Sequence, residues 1–222
     1  MLDNTRQRHS DIISLPELEI PIAIIGAGSI GSFFTLSLAK LGATDITGYD
    51  FDKIEPENIG CQLYGEGDIG KPKIEALKAR VLDLTGVEIK AENKEWTENE
   101  GAEIIIVAVD SLEIRRKIWQ KLENDIDCTH IIDGRMGGEF MRIYTIDLNN
   151  DEAVKKYLKT LEVKEGEPVS CSARSIVYNN YVLAGLMLSQ LKKIIKEQEY
   201  PTEIIFNLAD LMFMKGGKNG KQ

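Results

Sequence analysis

Cysteine is scarce in this chain: Cys61, Cys128 and Cys171 stand far apart, and three is an odd number. That spacing excludes a disulfide framework and a four-cysteine zinc site within one chain, and it fits a reducing cytoplasm. Long apolar runs are missing as well. No stretch approaches the roughly 20 residues that cross a bilayer, and Met1 to Ser10 is polar rather than basic and then apolar, so the sequence predicts a soluble, unprocessed protein without a membrane partner. Positive charge is in deficit, 27 Lys and Arg against 36 Asp and Glu, and the net charge of -9 argues against nucleic acid as a partner. A small anionic ligand then needs a locally positive pocket. His9 and His130 form no catalytic pair, and His130 reads as the filler of a strand end. What is present, 222 residues with 43% hydrophobic content, suffices for one substantial core and is too short for two large domains.

Hydrophobic periodicity predicts an α/β fold. Pro21 to Ile25 reads as a buried parallel strand running into Gly26-Ala27-Gly28-Ser29-Ile30-Gly31, followed by a helix over Ser32 to Leu41 and a second strand over Asp45 to Tyr49. Residues Asp50 to Gly70 are irregular and rich in Gly, Asp and Glu, as a functional loop is. A helix resumes at Pro72 and runs to Leu84. Glu103 to Val109 is a further strand, Leu112 to Glu123 a helix, Ile131 to Asp133 a short strand and Glu139 to Asp147 a half-exposed one. Helices follow over Asp151 to Leu161 and Val177 to Ile195, with Ile204 to Phe206 as a short edge strand. The Gly, Lys, Asn and Gln of residues 215–222 predict a disordered tail. The fold expected is Rossmann-like, with a mostly parallel sheet that becomes mixed towards its C-terminal half and is flanked by helices.

The Gly26-x-Gly28-x-x-Gly31 loop follows a strand and opens a helix. Glycines there let phosphate oxygens approach backbone N–H groups at the helix N-terminus, with Ser29 in the first turn. Asp50 ends the second strand about twenty residues on, where a carboxylate can accept from a ribose hydroxyl. By itself this pair suits NAD. Asp52, Glu55 and Asp110, however, bring further carboxylates to the carboxyl ends of neighbouring strands, and such crowding beside a phosphate loop calls for a cation. Magnesium with a nucleoside triphosphate meets that need, because it takes oxygen ligands from one or two carboxylates plus phosphates. Lys73 is a point charge that can reach phosphates, Asn58 an amide donor without charge, and Lys71 a surface lysine.

These residues also carry a family resemblance. Gly26 to Gly31, Asp50-Phe51-Asp52, Glu55-Pro56-Glu57-Asn58, Gln62-Leu63-Tyr64, Gly70-Lys71-Pro72-Lys73 and Asp110 with Arg115 resemble the successive signatures of the ThiF/MoeB/HesA family of ubiquitin-activating-enzyme-like adenylyltransferases. The likeness is good over about residues 22–116 and looser beyond. It implies one adenylation domain over residues 1–214, binding ATP and magnesium: Asp50 on the ribose, Asn58 and Lys73 on phosphates, and Asp110 on the magnesium that supports attack of a carboxylate on the α-phosphate. The implied substrate is the C-terminal glycine of a ubiquitin-like or sulfur-carrier protein, and the implied assembly is a homodimer. Two features depart from the family. Cys61 stands where a phosphate-binding arginine is usual, a gap that Arg6 or Arg8 can fill from an N-terminal segment, and the paired zinc-binding Cys-x-x-Cys motifs are missing.

Cys171, within Ser170 to Ser175 and beside Arg174, resembles the cysteine that takes over the acyl group as a thioester, and reads equally as a small helix-start residue. Cys128 reads as packing. Arg135-Met136-Gly137-Gly138 suits either a thin Gly-Gly tail or a glycine turn. Three other functions fit the same nucleotide residues: adenylation of a small molecule or modified nucleoside, an NAD- or FAD-dependent oxidoreductase, and an inactive nucleotide-binding partner subunit.

Overall fold

A computed structural model describes residues 7–123, 125–162 and 175–219. Its centre is an eight-stranded sheet. Strand β1 (Ile22–Ile25) is buried at all four positions, as a strand covered on both faces must be, and it pairs in parallel with β2 (Ile46–Tyr49) and β4 (Ile104–Val107). Strand β3 (Lys90–Glu92) adds to β2, and β5 (His130–Gly137) to β4, both in parallel. The remaining three strands, β6 (Phe140–Asp147), β7 (Glu203–Asn207) and β8 (Met212–Gly216), continue the sheet antiparallel. The order is β3-β2-β1-β4-β5-β6-β7-β8.

Helix α1 (Ser29–Leu41) follows β1 directly and stops at Gly42, whose positive φ turns the chain and whose N–H bonds the carbonyls of Leu38 and Ala39. Pro72 caps α2 (Lys73–Thr85) and Gly86 ends it in the left-handed region. The Ser111 hydroxyl accepts from the first turn of α3 (Leu112–Leu122), and the Asn150 amide oxygen does the same for α4 (Asp151–Leu161). The longest helix is α5 (Val177–Ile195). One face of the sheet packs α1, α2 and α5 through Phe34, Leu38, Leu77, Leu183 and Met187. The other packs α3 and α4 through Ile118, Leu122, Tyr157 and Leu161. This is the three-layer arrangement expected of a doubly wound sheet.

Four expectations shift. β3 is new: its three residues, Lys90, Ala91 and Glu92, are too few to carry a period. β5 is eight residues long rather than three, because Asp133 and Arg135, which look like turn chemistry in the sequence, neutralise each other inside the sheet. Ile204 to Phe206 lies in β7, which is no edge, since β8 pairs along its whole length. Lys215 and Gly216, expected to open a disordered tail, close β8, and Asn219 exchanges two backbone bonds with Tyr200. Cross-strand pairing, which local composition does not encode, orders this segment.

Candidate active site

The chain turns left from β1 to β2 and β3, and right from β1 to β4 and β5. A crevice opens at the carboxyl ends of the strands where the order reverses, the usual ligand position in such sheets. Here it is a cavity of about 650 Å³, within the range of small-molecule sites.

Its floor is the glycine loop. Gly26 has φ +99°, and a Cβ there would come within 2.6 Å of the Ala108 carbonyl oxygen. A Cβ on Gly31 would overlap the Gly26 carbonyl, so this glycine packs α1 against β1 rather than lining the cavity. Gly28 and Ser29 do line it. The first turn of α1 holds no acidic residue and no side-chain cap, so its N–H groups and its partial positive charge face the cavity. Tyr64 supports the loop from behind, donating to the Ala27 carbonyl at 2.6 Å.

Asp50 closes the floor. Its two oxygens accept from the backbone N–H of Ala27 (2.7 Å) and of Asp52 (2.8 Å). Burial pushes its pKa up against these two bonds and the nearby Lys73 charge. Each oxygen retains a second lone pair for a ligand hydroxyl. Lys73 Nζ pairs with Asp52 Oδ2 at 2.8 Å, and the lysine is the more buried of the two. The Asn58 amide oxygen accepts from the Glu55 N–H, which leaves its NH2 facing the cavity it lines. Asp110 lines the cavity with no partner among the described residues. Cys61 and Gln62 lie on the same wall, and the Cys61 thiol donates weakly to the carbonyls of Glu57 and Asn58, both at 3.7 Å. Glu55 is exposed and outside the lining.

Five carboxylates (Asp50, Asp52, Glu57, Glu95, Asp110) and three cations (Lys73, Arg115, Lys117) line the space. That balance suits a polyphosphate only together with a divalent cation, for which the unpaired Asp110 oxygens are the right donors. The residues present therefore fit a metal–nucleotide. Trp96, Ile114 and Ile118 add an apolar wall beyond Asp50.

Trp96 escapes a reading of the sequence, and Tyr64, part of Gln62-Leu63-Tyr64, has no role assigned there. Trp96 falls in a polar, irregular stretch, where a buried tryptophan is the one available signal. Arg6, Cys171 and Arg174 lie outside the described residues. Arg8 is described, and its own chain places it far from the glycine loop: neighbouring His9 bonds the Leu41 carbonyl at the distal end of α1, whose 13 residues span about 20 Å. Cys128 is packing, as expected: burial pushes its thiol up to about 12. Lys71 is a surface residue paired with Asp68. Gly138, at φ +60°, makes the β5–β6 turn, and its carbonyl accepts from Asn179. Within Arg135 to Gly138 only Met136 lines the cavity.

Comparison with known proteins agrees with this geometry. The sequence model of the ThiF family matches residues 18–218. The NEDD8-activating enzyme E1 catalytic subunit of Arabidopsis thaliana is 36% identical over 106 residues, covering 45% of this chain and 23% of that protein. The tRNA threonylcarbamoyladenosine dehydratase of Haemophilus influenzae is 31% identical over 133 residues, 53% of this chain and 51% of that one. The chain thus spans a quarter to a half of these curated relatives. Among solved structures, Escherichia coli MccB with AMPCPP and MccA superposes with a TM-score of 0.74 at 18% identity, covering 99% of this chain and 73% of that one. PaaA superposes at 0.70 and 17% identity, covering 99% and 78%. At these identities the likeness is one of fold.

Proposed function

We propose, from the premise that this chain belongs to the ThiF family, that it adenylates a carboxylate with ATP and magnesium. The observation that carries this reading is the uncapped N-terminus of α1 facing a carboxylate-lined cavity in which Asp110 has no partner among the described residues. In the reaction one carboxylate oxygen bonds to the α-phosphorus, the bond from that phosphorus to the bridging oxygen breaks, and its electron pair leaves with pyrophosphate, giving an acyl-adenylate. Asp50 accepts from the ribose, and the α1 N-terminus, Asn58 and Lys73 hold phosphate oxygens. Asp110 holds the magnesium, which when bound supplies positive charge to the phosphates.

The substrate is the C-terminal glycine of a ubiquitin-like or sulfur-carrier protein, supported by the similarity to the NEDD8-activating subunit and by the match of fold to MccB, solved with MccA. A second reading, a carboxylate on a modified nucleoside, has the dehydratase relatives in its favour. The net charge of -9 weighs against a tRNA partner. The cation absent at Cys61 is supplied across a homodimer, since Arg8 in its own chain is too distant. The exposed apolar stripe of Val177, Tyr178 and Tyr181 on α5 is a surface suited to a second copy. Cys171 is the candidate acceptor of the acyl group after adenylation.

Calorimetry and pyrophosphate exchange test this reading. Mg-ATP is expected to bind selectively over NAD, and Asp110→Ala and Lys73→Ala to lose carboxylate-dependent exchange by about a hundredfold or more. Tighter binding of NAD, without a cation, would overturn it.

A further inference from the structure

A buried cluster on the far side of Asp110 carries one positive charge more than its own residues neutralise. Asp133, fully buried in β5, accepts from Arg115 Nε (2.9 Å), Arg135 Nε (2.8 Å) and the Tyr157 hydroxyl (3.1 Å). Two guanidinium groups thus share one carboxylate, and both are almost wholly buried. Arg135 is satisfied: its other nitrogens reach the Thr160 carbonyl and hydroxyl, and the Tyr144 ring lies 4.6 Å away. Arg115 is not. Its Nη2 donates to the Gly134 carbonyl at 3.1 Å, but Nη1 has no acceptor among the described residues. Arg115 also lines the cavity. The surplus charge and the surplus donor therefore meet at one residue on the cavity wall. A buried cation without full compensation is costly, and an anionic oxygen arriving from the cavity relieves that cost.

The order of strands indicates which oxygen. Along the carboxyl edge come Asp50 after β2, the glycine loop after β1, Asp110 after β4, and then Arg115 against β5. With ribose at Asp50 and phosphates over the loop, Arg115 lies beyond Asp110, where it would meet a carboxylate that approaches the α-phosphorus from the end of the cavity away from Asp50. We propose that Arg115 Nη1 donates to the acyl oxygen of the reacting carboxylate, the oxygen that does not attack and becomes the carbonyl of the adenylate. Its role is to orient the nucleophile, and it rests on the adenylation reading above.

The test uses two nucleoside probes and no carrier protein. One is the ketophosphonate analogue of glycyl-adenylate, in which CH2 replaces the oxygen between the acyl carbon and phosphorus; the other replaces its acyl C=O by CH2, with the same phosphonate charge in both. Calorimetry on the intact protein should show the carbonyl compound bound about tenfold or more tighter, the scale of one hydrogen bond to a charged donor. In Arg115→Met that preference should fall to within about twofold, with AMP and Mg-ATP binding unchanged. Equal binding of the two probes by the wild type overturns the proposal whether or not the variant folds. Loss of AMP and Mg-ATP in step with the carbonyl probe, in a variant whose melting curve matches wild type, overturns it too by making Arg115 a phosphate ligand. A wild type that binds neither Mg-ATP nor AMP sinks the adenylation reading itself, a result separate from either.

Discussion

Replacing Asp133 by Asn keeps the shape of the side chain and removes the only carboxylate between Arg115 and Arg135. Burial opposes ionisation of Asp133, but the two arginine charges and their hydrogen bonds outweigh it and hold the carboxyl below its usual range. The variant therefore leaves two buried guanidinium groups uncompensated. Removing one partner of a buried pair costs about 3–5 kcal/mol, a large share of a typical stability of roughly 5–15 kcal/mol. For a chain of this length that lowers the melting temperature by roughly 6–20 °C. Urea unfolding at neutral pH measures it, with Glu113→Gln as control: that exposed ion pair with Lys117 should change stability by no more than about 0.5 kcal/mol. The pH dependence carries a sign. A carboxyl whose folded pKa is depressed stabilises above its unfolded pKa, about 3.9, and loses that contribution as pH falls through the folded value. The gap between wild type and Asp133→Asn should thus narrow on acidification below about pH 4. A cost under about 1 kcal/mol at neutral pH, or a gap independent of pH, would refute the argument that the two buried guanidinium groups depend on this carboxylate.

Three further outcomes are open to direct measurement. Gly31→Ala forces a methyl group onto the Gly26 carbonyl, so it should cost at least about 1–3 kcal/mol and weaken Mg-ATP binding, whereas wild-type stability and affinity would show that the loop has room to give. The Gly65 N–H, Lys71 and Arg80 hold the Asp68 carboxyl down at about 2; its contribution is therefore present above the unfolded pKa of about 4 and lost towards pH 2, and Asp68→Asn should flatten the acid limb of the melting-temperature profile. In a Cys171→Ser background, iodoacetamide should label Cys61 in the native protein and Cys128 only in denaturant, since Cys128 is buried with its thiol pushed up to about 12. Mg-ATP should slow labelling of Cys61, and unchanged labelling would place the phosphates away from that wall.

Elements whose residues satisfy themselves locally are legible in the sequence. The apolar run of β1, the glycine loop, the Asp50 that ends β2, and the periodic helices α4 and α5 each follow from backbone sterics and burial within one segment. The cavity wall from Gly26 to Asp110 is legible for the same reason: each residue type sits at a strand end or loop position where its chemistry is already constrained. Tertiary structure alone decided what depends on partners distant in the chain. Asp133 and Arg135 belong to a buried strand because they pair with each other there and with groups remote in the chain, Arg115, Tyr157 and Thr160. Phe213 and Met214 form β8 because β7 offers an unpaired edge, and Trp96 joins the cavity because β4 and α3 pack behind it. A pattern within one segment reports how that segment meets a core; it holds no record of which remote charge, edge or ring will stand opposite, and that is fixed only when the sheet assembles.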